Sequence, residues 1–187
     1  HGEMLGNHRM LKKGAALFDE LIRVPLLVKA PSSKGEHVSR NRVVSQVDIA
    51  PTIWDYCSVS IDDSLHGSSL RPLIEGADAP QRCGVAVEYH SHVWPCAPVP
   101  LRCWRTERWK LVESPSGVEE LYDLEDDPAE TKNLAENAEN EPVIAALKED
   151  LSGWARSTSD PWPDVPVPPK AEEDRPNRWQ EILKERF

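Results

Sequence analysis

The chain has 187 residues, with 22 Lys and Arg against 32 Asp and Glu, and its formal net charge is −10. This acidic balance argues against general nucleic-acid binding, which needs clustered Lys and Arg to neutralise phosphates. Hydrophobic residues make up 39% and the mean hydropathy is −0.55, which leaves enough apolar content for a folded core. Because the chain starts at His1 rather than at Met, we expect a fragment of a longer protein.

Two further classes are disfavoured by the residue pattern. The best apolar run, residues 24–28, contains a proline and is far shorter than the roughly 20 residues that a membrane-spanning helix requires. The four cysteines, Cys57, Cys83, Cys96 and Cys103, have neither CxxC spacing nor the density of a disulfide scaffold. The sequence therefore predicts no membrane span, no zinc ribbon and no disulfide framework, and it leaves the compartment open.

The first part of the chain has the pattern of an α/β layer. Residues Ile22–Ala30 are almost continuously apolar and rich in β-branched side chains, which predicts a strand buried on both faces. Asp48 is expected to cap a helix, because Pro51 suits a first turn and apolar residues follow at helical spacing: Ile49, Ile53, Trp54 and Cys57. Arg23, which flanks the strand, and Asp48 are interpreted as architectural.

From Cys83 onward the pattern predicts an antiparallel meander with one helix across it. The strand-like runs are Cys83–Tyr89, Leu101–Thr106, Trp109–Glu113 and Glu119–Leu124. Pro142 suits the first turn of a helix whose apolar side is formed by Val143, Ile144, Leu147, Leu151 and Trp154. Trp104 and Trp109 are expected to pack in the core or across strands. A sheet covered by a helix buries both apolar faces.

The C-terminal residues differ in composition from the rest. The chain contains 17 prolines, and six of them lie between residues 161 and 176. Proline fixes φ and has no N–H, so residues 161–169 are predicted to form an extended strap. Residues 177–187 are expected to close the chain with a short helix.

The opening residues gather groups that can hold ions. They include His1 and His8, two glycines among the first six residues, and Lys12-Lys13-Gly14. A neutral histidine nitrogen binds divalent cations, glycine permits close backbone approach, and a lysine ammonium neutralises a tetrahedral oxyanion. The segment is therefore a candidate site for a metal and an anion, with a solvated loop as the alternative.

The order of short motifs along the chain is specific, although each motif alone is weak. In chain order they are His1-Gly2-Glu3-Met4-Leu5-Gly6, Lys13-Gly14, Ile22-Arg23-Val24-Pro25-Leu26, Val47-Asp48-Ile49-Ala50-Pro51-Thr52, Leu65-His66-Gly67-Ser68-Ser69-Leu70, Arg105-Thr106-Glu107-Arg108-Trp109-Lys110, Glu120-Leu121-Tyr122-Asp123-Leu124 and Asp127-Pro128-Ala129-Glu130-Thr131-Lys132-Asn133-Leu134. In this series the chain, from residue 1 to about residue 154, resembles the C-terminal part of the sulfatase family within the alkaline-phosphatase superfamily.

The resemblance implies an α/β fold class. It comprises the C-terminal part of an alkaline-phosphatase-like α/β/α sandwich, followed by a small antiparallel β-sheet subdomain with a packed helix. The expected divisions are residues 1–80 for the end of the catalytic domain, 81–160 for the subdomain, and 161–187 for the strap and terminal helix. Apolar faces in residues 1–80 that the missing part of the sandwich would cover are expected to be exposed.

The resemblance also implies roles for individual residues. His1 stands where the family has the second residue of an Asp-His or Asp-Asn pair that ligates a divalent cation, usually Ca²⁺. Lys13 falls on the lysine that contacts the sulfate group and stabilises its charge, with a one-residue shift to Lys12 as the alternative register. His8 would face the same pocket, or would serve as a capping or surface residue.

The nucleophile of the resembled family is a formylglycine made from the Cys or Ser of a Cys/Ser-x-Pro-x-Arg motif. Residues Cys96-Ala97-Pro98-Val99-Pro100 do not fit, because Pro100 replaces the Arg and the segment follows His1 instead of preceding it. The formylglycine and the remaining metal ligands are therefore expected in a missing N-terminal part of the same catalytic domain. The chain alone is expected to be inactive.

Substrate choice is expected to involve residues 88–94. This segment follows the first strand of the small subdomain, which in the family lies at the mouth of the active site; His90, His92 and Trp94 are candidate contacts to a sugar or aryl sulfate, with a structural loop as the alternative.

The implied reaction is hydrolysis of sulfate esters, on a sulfated small molecule or glycan. The alternatives are a phosphonate monoester or phosphodiester hydrolase of the same superfamily, or a catalytically inactive binding module.

Overall fold

A computed structural model describes residues 2–31, 38–77, 82–90, 100–115 and 117–162. Its central element is a four-stranded antiparallel sheet in the order β1-β2-β3-β4, with β1 (Val85–Tyr89), β2 (Leu101–Arg105), β3 (Trp109–Ser114) and β4 (Gly117–Asp123). Strands that are consecutive in the chain are neighbours in the sheet, so the predicted meander is confirmed. The described α-helices are α1 (Asp19–Ile22), α2 (Ile49–Tyr56), α3 (Arg71–Ile74) and α4 (Glu141–Thr158).

One face of the sheet is covered by α4. Side chains alternate between the two faces of a strand, so every second residue of a strand can meet the same helix. The buried cluster at this contact consists of Trp104, Leu111, Leu121, Leu147 and Leu151. Gly84 permits the packing, because a Cβ there would lie 2.6 Å from the ring of Trp104. The predicted helix, its apolar side and the packing positions of Trp104 and Trp109 are confirmed.

The opposite face of the sheet is covered by the N-terminal segment. Leu17 is buried there with Cys103 and Val112, and Ile22 packs against the same cluster. The sheet is therefore a middle layer between α4 and the segment that contains α1.

The predicted buried strand at Ile22–Ala30 is wrong. The chain leaves α1 at Ile22 and continues without strand pairing, and Leu27 is 90% exposed. A buried strand needs neighbours that satisfy its backbone N–H and C=O groups, and none of the strands in the described ranges pairs with these residues. The exposure of Leu26, Leu27 and Val28 agrees with the expectation that apolar faces of residues 1–80 are exposed.

Asp48 directly precedes α2, as predicted, but its side chain does not cap this helix. The carboxylate instead accepts hydrogen bonds from the backbone N–H groups of Ser45 (2.8 Å) and Ser68 (2.9 Å). It also forms a two-pronged ion pair with Arg82, at 2.8 and 3.0 Å. Asp48 has helical φ and ψ of its own, and it is 1% exposed. The expectation that Asp48 is architectural agrees with these contacts, whereas the helix-capping role is wrong.

Residues 163–187 lie outside the described residues, and with them the predicted strap beyond Trp162 and the closing helix. The division of the chain at residues 80 and 160 stays a prediction. In the described ranges no helix combines the length and the apolar character needed to cross a membrane.

The contact between α4 and the sheet predicts a large effect of Leu151→Ala. Leu151 is 0% exposed, and truncating a buried leucine should lower the free energy of unfolding by about 2–5 kcal/mol. Leu27→Ala in the same 187-residue chain is the matched control, because Leu27 is 90% exposed there and its truncation should change the free energy of unfolding by less than about 0.5 kcal/mol. Urea denaturation followed by circular dichroism measures both. Equal effects of the two substitutions would contradict the assigned core.

Candidate functional site

The N-terminal segment folds back on itself, so that the residues around Lys13 form a loop. Residues 2–8 and 18–22 run beside each other. The contacts between them are a backbone hydrogen bond from Gly2 to Leu21 (3.2 Å), a side-chain hydrogen bond from Asn7 to Glu20 (2.7 Å), and a parallel stack of His8 on Phe18 (3.8 Å between ring centroids). We call the connecting residues 9–17 the Lys13 loop.

Gly2 fixes how closely the first residues approach α1. A Cβ at this position would lie 1.6 Å from the backbone oxygen of Glu20, a distance that no side chain could occupy. The glycine that follows His1 is therefore required by close packing on α1. His1 itself lies outside the described residues, so its role as a metal ligand stays a prediction.

The backbone immediately before the Lys13 loop adopts uncommon conformations. Three non-glycine residues, Leu5, His8 and Arg9, have positive φ values of 48°, 50° and 60°, and Gly6 has φ of 103°. Each such non-glycine residue costs about 1–3 kcal/mol, and residues of this kind are concentrated at functional sites. The strain lies directly beside the loop that carries the candidate anion contact.

The Lys13 loop carries several uncompensated positive charges. Arg9, Lys12 and Lys13 are all exposed, and none of them forms an ion pair with a carboxylate in the described parts of the chain. A lysine ammonium is a compact point charge that can approach a tetrahedral oxyanion. In a chain of net charge −10, these residues form a local patch of positive charge.

His8 lies at the base of the Lys13 loop rather than at its tip. Its ring is half-buried and stacked on Phe18 with an interplanar angle of 9°. Phe18 in turn contacts the ring of Tyr122 on β4, at 6.2 Å between centroids. His8 therefore has a packing role that joins the loop to the sheet, and the substrate contact expected of it stays a prediction.

His90 lies at the other end of the sheet from Lys110 of β3. It follows the last residue of β1, is exposed, lies 3.8 Å from Glu88, and meets the ring of Trp162 edge-on. The register places Lys110 level with Arg105 and Val85, at the start of β1. His90 is five residues further along the strand direction than Val85, about 17 Å from it. His92, Trp94 and Cys96 lie outside the described residues.

A buried ionic cluster, which the sequence patterns did not reveal, joins β3 to the N-terminal segment. Lys110 is 0% exposed, and its ammonium donates to the backbone oxygen of Leu17 (2.9 Å) and to Oδ1 of Asp19 (2.8 Å), and forms an ion pair with Glu130. Arg105 donates to Oδ2 of Asp19 (3.0 Å). Oε2 of Glu130 accepts the backbone N–H of Asp19 (2.6 Å). We call Asp19, Arg105, Lys110 and Glu130 the Lys110 cluster.

The two carboxylates of the Lys110 cluster have opposite pKa shifts. Burial raises the pKa of Asp19, but hydrogen bonds from Arg105 and Lys110 outweigh burial and hold the pKa of this carboxyl below its usual value. Burial raises the pKa of Glu130 above its usual value, and the positive charge of Lys110 offsets only part of this effect. Asp19 is therefore the more strongly stabilised anion of the pair.

Local sequence offered only a faint signal for this cluster. Lys110 lies between two apolar residues, Trp109 and Leu111, in a segment whose sequence predicts a strand. A lysine on the inward side of such a strand must find buried acceptors. These acceptors lie 91 and 93 residues away along the chain, at Asp19 and Leu17, and sequence periodicity cannot identify them.

The cysteine on the sheet, Cys103, does not fit the role of a nucleophile. Cys103 is fully buried, and burial raises the pKa of its thiol to about 12, so the reactive thiolate is almost absent at neutral pH. Cys57 and Cys83 are exposed and free. The described residues also contain no group of three or more His, Cys, Asp or Glu that could hold a metal ion. The described part of the chain therefore does not provide a metal centre.

The sequence matches a family model described as N-sulphoglucosamine sulphohydrolase, C-terminal, over residues 6–157. It is 31% identical over 166 residues to the sulfatase YidJ of Escherichia coli K12, a match that covers 87% of this chain and 32% of that protein. The family match includes the Lys13 loop, the sheet and α4 as far as residue 157.

Solved structures extend the comparison. The structure of a 2-O GAG sulfatase superposes on this chain with a TM-score of 0.82 and 27% sequence identity. The match covers 90% of this chain and 37% of the sulfatase. A phosphonate monoester hydrolase from Silicibacter pomeroyi has a TM-score of 0.72 and 25% identity, covering 84% of this chain and 33% of that one. The chain thus spans about a third of the length of the relatives it matches. The expected α/β fold with its antiparallel sheet and packed helix is confirmed, and the chain belongs to the sulfatase family, whose C-terminal part it matches.

Proposed function

We propose that the protein that contains this chain hydrolyses sulfate esters, and that Lys13 stabilises negative charge on the sulfate oxygens. The observation that carries the proposal is the Lys13 loop in a chain of the sulfatase family. The loop is exposed and cationic, and its two ends are joined by the contacts between residues 2–8 and 18–22. The activity belongs to the whole protein, because the chain spans about a third of its relatives.

The proposed role of Lys13 follows from electrostatics. Charge on the sulfate oxygens changes as the bond from sulfur to the ester oxygen breaks, and a fixed ammonium stabilises this charge most when no carboxylate neutralises it. Lys13 has no such partner in the described ranges. Arg9 and Lys12 add positive potential that attracts an anionic substrate to an otherwise acidic chain.

The nucleophile and the remaining metal ligands are assigned to residues outside this chain. The 187 residues contain no Cys/Ser-x-Pro-x-Arg motif, so a formylglycine would have to come from elsewhere in the protein. Ca²⁺ with His1 as one ligand is a proposal from the family resemblance.

We further propose a sulfated glycan as the substrate class. Support comes from the family description, which names a sulphoglucosamine, and from the structural similarity to a 2-O GAG sulfatase. His90 is exposed beyond the end of β1 and is available to contact a sugar. Contacts from His92 and Trp94, which lie outside the described residues, stay a prediction. The sulfate position on the sugar is not specified by these residues.

A phosphonate monoester hydrolase activity is the second candidate. The similarity to the Silicibacter pomeroyi enzyme favours it, with a TM-score of 0.72. Phosphonate monoesters and sulfate esters both present a tetrahedral anionic centre, and an ammonium such as that of Lys13 can stabilise either. The Lys13 loop alone therefore does not separate the two activities.

Activity of the protein expressed from its whole reading frame tests the proposed function. We expect hydrolysis of 4-nitrophenyl sulfate and release of sulfate from a sulfated glycosaminoglycan disaccharide. The same preparation should be assayed with 4-nitrophenyl phenylphosphonate and bis(4-nitrophenyl) phosphate. A higher kcat/KM for either phosphorus ester than for the sulfate ester would favour the second candidate, and binding of the disaccharide without turnover of any ester would favour a binding module.

Lys13→Ala in the same protein tests the assigned residue. Removing one electrostatic stabiliser should lower kcat/KM for the sulfate ester by about a hundredfold or more. Lys12→Ala is the matched control, because it removes the same charge from the neighbouring position, and its effect should be less than about tenfold. Near-normal activity of Lys13→Ala would contradict the assignment, and the larger loss in Lys12→Ala would shift the role to Lys12.

A further inference from the structure

The ammonium of Lys110 faces three oxygens. It donates hydrogen bonds to the backbone oxygen of Leu17 and to Asp19, and it forms an ion pair with Glu130. Two of these oxygens belong to Leu17, the last residue of the Lys13 loop, and to Asp19, two residues further along the chain. The third belongs to Glu130, whose other oxygen binds the backbone N–H of Asp19 (2.6 Å). Residues 17–19 are thus bound both by the side chain of Lys110 and by that of Glu130.

Stability alone is a poor reason for such a cluster. Taking a lysine and its carboxylates out of water has a large desolvation cost, and well-packed apolar residues often replace a buried ion pair without loss of stability. The apolar contacts of Leu17 with Cys103 and Val112 already attach this segment to the sheet. Apolar contacts are non-directional, however, whereas hydrogen bonds fix position and orientation. The cluster therefore determines where along the sheet the segment lies.

The position of Lys13 depends on this anchor. Residues 10–18 form neither helix nor strand, so the loop has no internal ladder of hydrogen bonds to hold its shape. Lys13 precedes Leu17 by four residues, at most about 14 Å of chain. The start of the loop is held by the contacts of Asn7 and His8 with α1 and Phe18. Its end is held by the Lys110 cluster.

We propose that Lys110 is a positioning residue. It acts through Asp19 and the backbone of Leu17 to hold Lys13 at the position where the Lys13 ammonium contacts the sulfate group. The inference rests on the proposed function, since it assigns Lys110 to the placement of the same Lys13. Lys110 itself is fully buried and touches no substrate. Glu130 and Arg105 complete the anchor by fixing Asp19.

A double-mutant cycle in the protein from the whole reading frame tests the coupling. Glu130→Gln keeps the size of the side chain and an oxygen for the N–H of Asp19, but removes the negative charge that faces Lys110. We expect it to lower kcat for the sulfate ester about tenfold with less change in KM, because a misplaced ammonium loses transition-state stabilisation. Added to Lys13→Ala, it should lower kcat by less than about twofold further.

Controls separate positioning from general destabilisation. Glu149→Gln removes a charge of the same kind from an exposed site on α4, 75% exposed, and should leave kcat unchanged. Hydrogen exchange followed by mass spectrometry should show faster exchange in residues 9–19 of Glu130→Gln, with the exchange of α4 unchanged. If Glu130→Gln does not fold, Arg105→Gln is the milder variant, since it removes a single hydrogen bond to Asp19 at 3.0 Å.

The outcomes distinguish this inference from the proposed function. Losses of Glu130→Gln and Lys13→Ala that multiply in the double variant, or unchanged exchange in residues 9–19, would overturn the positioning role while the sulfatase activity stands. Absence of sulfatase activity in the wild type would overturn the proposed function and the positioning role with it. Hydrogen exchange would then decide whether the Lys110 cluster anchors the segment at all.

Discussion

The buried ammonium of Lys110 is the constraint on which the arrangement of this chain depends. A lysine with no exposed surface in the middle of a sheet is tolerated only when oxygen acceptors surround it. Those acceptors come from the segment of Leu17 and Asp19 and from Glu130, so the sheet, the N-terminal segment and the stretch after β4 must meet at one point. The apolar clusters on the two faces of the sheet determine which segments pack there. The ionic cluster determines their relative position.

The family motifs divide into architecture and chemistry when their contacts are considered. Asp48 ties its own turn to Ser68 and Arg82, and Gly67 is required because a Cβ there would lie 2.0 Å from the backbone oxygen of Val47. Lys110 and Glu130, from two other motifs, anchor the N-terminal segment. Lys13 is exposed and has no such structural contact in the described ranges, which is why the proposed chemistry is assigned to it. Several motifs of the series thus serve to present a few exposed side chains.

The sequence predicted those parts of the fold whose signal is local. The meander and α4 follow from alternating or helical apolar patterns, and both are confirmed. The prediction of a strand at Ile22–Ala30 is wrong. An apolar run indicates that a segment is to be buried, but it does not show which strands would pair with that segment. Asp48 directly precedes α2, as predicted, yet two of its partners, Ser68 and Arg82, are 20 and 34 residues away, and local capping rules could not name them.

The candidate site was predicted in outline from the family resemblance. The structure places Lys13 on an exposed loop with a closed base, and it gives His8 a packing contact that sequence alone did not suggest. The Lys110 cluster was missed, because its importance arises from contacts across about 90 residues of chain. Long-range ionic contacts have no periodicity, so they become visible only when the segments are brought together in three dimensions.

A crystal structure of the protein from its whole reading frame, grown with sulfate, tests the roles of Lys13 and Lys110 together. We expect a sulfate ion in the active site with Nζ of Lys13 within hydrogen-bond distance of a sulfate oxygen, at about 2.7–3.2 Å. We also expect Nζ of Lys110 to remain on Leu17, Asp19 and Glu130. A sulfate bound in the active site by other cations, with Lys13 turned into solvent, would show that Lys13 does not have the proposed role.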